Sequence, residues 1–126
     1  MIVVQMYEIL NSNKLFEELQ EQKLPIRVAY KLNKISDAIA KEIKFYTDSL
    51  AKITTEYSVK DETGRPVIED GGVRIIPESL EECQGKLEEL NSLTLELDAP
   101  YLTLDELDTL EVSFSNMKIL SKFITE

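Results

Sequence analysis

A single apolar stripe at helical spacing does most to limit what this chain can fold into. From Val28 the large residues Val28, Leu32, Ile35, Ile39, Ile43, Tyr46, Leu50, Ile53 and Tyr57 recur at steps of 4, 3, 4, 4, 3, 4, 3 and 4. That is 29 residues in eight steps, about 3.6 per step, the period of a straight α-helix rather than the 3.5 of a left-handed coiled coil. Pro25 suits a first helical turn, and no Gly or Pro interrupts Ile26–Tyr57. A helix of that length is about 48 Å long, more than one small core can cover. The stripe therefore predicts that flanking helices of the chain cover part of it and that a partner or second copy covers the remainder. Arg27, Lys31, Lys34, Lys41, Lys44 and Lys52 lie along another side, with Asp37, Glu42, Asp48 and Glu56 interspersed, the pattern of a solvated face.

Before the stripe, Ile2–Val4 reads as a short strand. Tyr7, Ile9, Leu10, Leu15, Phe16 and Leu19 predict an amphipathic helix ending near Gln22, with Asn11-Ser12-Asn13 weakening its middle. A tight link through Pro25 makes the two helices an antiparallel hairpin. After it, Asp61-Glu62-Thr63-Gly64 and Glu69-Asp70-Gly71-Gly72 are turn signals separating β-prone pieces at Ser58–Lys60, Pro66–Ile68 and Val73–Ile76. Ser79-Leu80-Glu81-Glu82 has the form of a capping box, and Leu80, Cys83, Leu87 and Leu90 continue a helix over 79–91. Gly85 in that helix costs on the order of 1 kcal/mol against Ala unless a neighbour packs closely there. Leu93, Leu95 and Leu97 alternate with polar residues, as in a strand with one buried face. Thr103-Leu104-Asp105-Glu106 is a second capping-box form, and Ser113 or Ser115 can open a last helix with Phe114, Met117, Leu120, Phe123 and Ile124 on its apolar face.

The expected fold is thus α+β and mainly α. It is an antiparallel helical hairpin built on one long helix, with a small β-hairpin or meander at its far end and short C-terminal helices. One elongated domain, 1–126, divides into a helical hairpin (1–57), a β-hairpin (58–77) and a mixed acidic part (78–126).

Charge narrows the function. Residues 1–60 carry 9 bases and 8 acids, a balance of +1, whereas residues 61–126 carry 5 bases and 16 acids, a balance of −11. Such acidity argues against direct nucleic-acid binding and favours solubility or a basic partner. The chain has no histidine, so Cys83 lacks a base and is expected as a small buried apolar side chain. There is no phosphate-binding glycine loop, and the acidic turns at 61–62 and 69–70 lack calcium-loop spacing, so no cofactor, metal or catalytic residue is expected. No membrane span is expected, since no apolar run approaches about 18 residues.

Four stretches stand out together: Leu24-Pro25-Ile26-Arg27-Val28-Ala29-Tyr30-Lys31-Leu32, the helix end Glu56-Tyr57, the turn Lys60-Asp61-Glu62-Thr63-Gly64, and the closing Leu110-Glu111-Val112-Ser113 to Phe123-Ile124. In them, and over nearly its whole length, the chain resembles a family of small proteins of tailed phages and prophages. The resemblance implies a viral origin and a setting in the host cytoplasm or the virion, and it transfers no functional residues. The leading expectation is a non-enzymatic protein–protein interaction protein that assembles with itself or with another phage or host protein. Its candidate partner-binding residues are the apolar Phe114, Met117, Leu120 and Phe123 and the acidic Asp105, Glu106 and Asp108. The alternative is an acidic inhibitor of a host protein that mimics nucleic acid or blocks a basic site.

Overall fold

A computed structural model describes residues 2–69 and 71–125. In chain order the elements are β1 (Ile2–Gln5), α1 (Met6–Leu19), α2 (Ile26–Glu56), β2 (Ile68–Glu69), β3 (Gly72–Val73), α3 (Leu80–Asn91), β4 (Thr94–Leu97), α4 (Leu104–Leu107) and α5 (Phe114–Leu120). The fold is α+β and mainly α. The chain forms two compact units, Met1–Ile43 with Leu93–Glu126, and Lys44–Ser92.

In the first unit, β1 pairs antiparallel with β4, Ile2 opposite Leu97 and Gln5 opposite Thr94. Ile2 and Val4 point into the core while Val3 is half exposed, as strand alternation requires. The chain passes directly from β1 into α1, where the Gln5 N–H donates to Glu8 Oε1 at 2.9 Å and relieves one donor at the helix start. The polar run 11–13 does not break α1. The Ser12 hydroxyl is fully buried but donates to the Ile9 carbonyl at 2.9 Å, so its burial leaves no unmet donor. The link 20–25 leads to α2, whose first bond runs from the Ala29 N–H to the Pro25 carbonyl at 3.0 Å. The helix is continuous through Asn33–Ser36.

The core of this unit joins Ile2 and Val4 to Ile9, Phe16 and Leu19 of α1 and to Val28, Leu32, Ile35 and Ile39 of α2. The C-terminal segment closes it with Leu97, Leu102, Leu107, Leu110, Leu120 and Phe123. Phe123 meets Phe16 edge to face, ring centroids 4.9 Å apart at 76°. Leu102 and Phe123 fix the chain's last turn by main-chain bonds, the Leu102 N–H to the Phe123 carbonyl and the Thr125 N–H to the Leu102 carbonyl, both 2.8 Å.

The second unit holds the rest of α2, a meander and α3. The Val59 N–H donates to Arg74 and the Val67 N–H to Val59, both at 2.8 Å, and the Arg74 N–H donates to Val67 at 2.9 Å. Asp61 Oδ1 accepts from the Thr63 N–H at 2.8 Å and the Arg65 N–H at 3.0 Å, closing a turn in which Gly64 takes φ +82°. These bonds hold the Asp61 carboxyl below the usual carboxylate range, the Thr63 hydroxyl contributing most. Among the described residues of this unit, Tyr57, Ser58, Cys83 and Leu90 are the buried side chains.

One expected cap is not made. α3 is preceded by a 3₁₀ turn, Pro77–Ser79, in which the Ser79 N–H is already bonded to the Ile76 carbonyl at 2.9 Å. Ser79 therefore sits at φ −104°, ψ 1° rather than in the extended conformation a cap needs, and its hydroxyl caps nothing. The Thr103 box does form, with the Thr103 N–H 2.9 Å from Glu106 Oε1 and the Glu106 N–H 3.3 Å from Thr103 Oγ1. Ser113 caps α5 by accepting from the Asn116 N–H at 3.2 Å.

Candidate interaction surfaces

The seven residues expected to bind a partner are dispersed by the fold. Phe114 is 80% exposed, with the Lys118 ammonium 5.3 Å from its ring centroid. Met117 is half-buried and packs against the core, while Leu120 and Phe123 are fully buried within it. The apolar face of α5 is thus largely taken up by the chain's own body. Asp105 and Asp108 face solvent.

Glu106 turns inward. Its Oε1 accepts from Lys31 Nζ at 2.7 Å, and the same ammonium donates to the Tyr101 carbonyl at 3.2 Å. Burial raises the Glu106 pKa, but the bonds from Lys31 and Thr103 lower it by more, so the carboxyl sits below its ordinary value. Its Oε2 is buried without a hydrogen-bond partner. Glu106 is therefore an internal clasp between α2 and α4. Nearby, the Gln22 amide donates to the Glu111 carbonyl at 2.9 Å and accepts from the Glu111 N–H at 3.0 Å, tying the link before α2 to the C-terminal segment.

The stripe on α2 changes character along its length. Val28, Leu32, Ile35 and Ile39 are 0–3% exposed. Further on, Ile43, Tyr46, Leu50 and Ile53 are only partly buried, and Phe45 beside them is 49% exposed.

The first unit also has an open groove of about 440 Å³ between α2 and β4. Lys34, Asp37, Lys41 and Glu42 line one wall, and Glu96 and Asp98 the other. Several of these residues are recognisable in the sequence as a solvated helix face, but nothing in it sets them opposite β4. The alternation at 93–97 marks a strand without indicating where it packs.

In the second unit, burial and the adjacent Glu82 carboxylate raise the pKa of the Tyr57 phenol. Cys83 is 2% exposed. Among the described residues, no three His, Cys, Asp or Glu side chains converge to hold a metal ion, and no helix is long and apolar enough to cross a membrane. Comparison of the chain with protein-family models, with curated proteins and with solved structures gave no match.

Proposed function

We propose that this is a non-catalytic protein–protein interaction protein that assembles through the C-terminal half of α2. One observation carries the reading: the stripe that is sealed from Val28 to Ile39 is only partly covered from Ile43 to Ile53, with Phe45 half exposed on the adjoining face of the same helix. Partly covered aliphatic and aromatic residues at helical spacing are what a second helix packs on, and aromatic anchors are enriched at interface centres. A phage origin, with the protein acting in the host cytoplasm or in the virion, fits the resemblance noted in the sequence, and the occupant of the stripe is then a second copy or another phage protein.

The test is solution mass by light scattering on a sizing column at low and high salt, for the wild type and for Phe45→Glu. A wild-type mass above that of the 14.4 kDa chain, persisting in high salt and lost in Phe45→Glu, supports apolar assembly. A monomer at both salts contradicts self-assembly through the stripe, and the other phage protein is then the occupant to seek.

A second reading, an acidic inhibitor of a host protein, is favoured by the exposed Asp105 and Asp108 and by the four carboxylates around the α2–β4 groove. Binding of that kind collapses with salt, which separates it from apolar assembly.

A further inference from the structure

The small sheet of the first unit has an open side. β4 has β1 as its sole strand neighbour among the described residues. The register adds 2 opposite 97, 3 opposite 96, 4 opposite 95 and 5 opposite 94. Just beyond it, the Met6 N–H donates to the Leu93 carbonyl at 2.8 Å, which makes Met6 and Leu93 a hydrogen-bonded pair. Such pairs alternate along an antiparallel ladder, so Leu95 and Leu97 direct their main-chain groups to β1. Thr94 and Glu96 direct theirs the other way.

Each of those two residues therefore offers one N–H and one C=O along an outer edge, and both residues are exposed. The groove beside Glu96 and Asp98 gives an added strand room to lie, with α2 as the opposite wall. Its charge selects the occupant. Asp37, Glu42, Glu96 and Asp98 share the groove with Lys34 and Lys41, four acids with two bases, a balance of −2. A second copy pairing through β4 would bring Glu96 against the same acidic edge, which cross-strand repulsion disfavours.

We propose that the outer edge of β4 takes up an extended basic peptide segment of a protein partner as a third strand. Main-chain bonds to Thr94 and Glu96 hold the segment. Its lysine or arginine side chains, on alternate residues, reach the carboxylates of the groove. The inference rests on the reading that the chain works by binding protein, but it concerns a different surface from the α2 stripe.

The probe is a fluorescent six-residue peptide alternating lysine and valine, titrated by anisotropy at low salt. Controls are the glutamate–valine peptide and a lysine–valine peptide N-methylated at alternate main-chain nitrogens. The key variant is Glu96→Pro, which deletes the outward N–H; proline is tolerated at an edge position whose N–H does not pair, so β1–β4 is retained. Glu96→Gln keeps the main chain and removes the charge.

The expected result is binding of the lysine peptide alone, weakened at least about tenfold by Glu96→Pro and by less in Glu96→Gln. Amide exchange in the wild type should be fast at Thr94 and Glu96 and slow at Leu95 and Leu97, with the first two slowing when peptide is added. Equal binding of all three peptides, no binding, or an affinity unchanged by Glu96→Pro in a folded protein would overturn the proposal. So would a dimer of the wild type that Glu96→Pro dissolves, since the occupant of the edge would then be a second copy. Loss of peptide binding with α2-dependent assembly intact would fault this inference alone, and the converse would fault the assembly reading alone.

Discussion

Lys31 and Glu106 show how one ion pair joins distant parts of the chain. Their side chains are 21% and 11% exposed, so neither is free to recover full hydration if the other is lost. Replacing Lys31 by Met should cost about 2 kcal/mol, since it leaves a mostly buried carboxylate short of its charged donor. The double variant Lys31→Met with Glu106→Gln should cost less than the two single changes summed, a coupling that urea unfolding of all four proteins measures. The pH dependence follows from the same site. A carboxyl with a lowered folded-state pKa stabilises the protein above its unfolded pKa, and that contribution is lost as pH falls. Acid titration of the wild type should therefore show stability declining below the ordinary glutamate value of 4.5, and Glu106→Gln should flatten that decline.

Phe114 and Phe123 lie in one short stretch of sequence but face different surroundings. Phe123→Ala empties a fully buried site against Phe16 and should cost about 3 to 5 kcal/mol in urea unfolding. Phe114→Ala, at an 80% exposed position, should change stability by less than about 0.5 kcal/mol. A loss of binding in Phe114→Ala would therefore report on a surface, whereas one in Phe123→Ala would report on the fold.

Among the elements, α3 carries an unused gain in stability. A Cβ built on Gly85 meets no atom within 4 Å, and its φ is not in the left-handed region. Gly85→Ala should stabilise the protein by about 1 kcal/mol, read as a shifted urea midpoint with an unchanged slope. The helices were largely legible because their apolar residues follow the helical period and their ends carry Pro25, Thr103 and Ser113. The meander was legible from its turns, where Asp61 and the glycines 64 and 71 fix the reversals. Ser79 misled because a capping motif states a local capacity, and the preceding Pro77 turn had already committed its main chain.

At the scale of the whole molecule, what the sequence withheld is long-range. β4 pairs with β1 across about ninety residues, Gln22 bonds Glu111 with a separation of 89, and Lys31 meets Glu106 with a separation of 75. No local pattern encodes such meetings. The basic side of α2 could be read residue by residue, yet its place opposite Glu96 and Asp98 depends on where β4 lies. The same limit applies to the C-terminal apolar face: its period was evident, but only packing shows that Leu120 and Phe123 are used internally while Phe114 is left outside.

On the proposed function, α2 is covered by its own chain at one end of its stripe and by another molecule at the other. Hydroxyl-radical footprinting across a concentration series reads both ends at once. Val28, Leu32, Ile35 and Ile39 should stay protected at every concentration, while Phe45, Tyr46, Leu50 and Ile53 should be modified in dilute protein and protected in concentrated protein. Modification of the second group that is independent of concentration, in the absence of any other protein, would contradict self-assembly through α2.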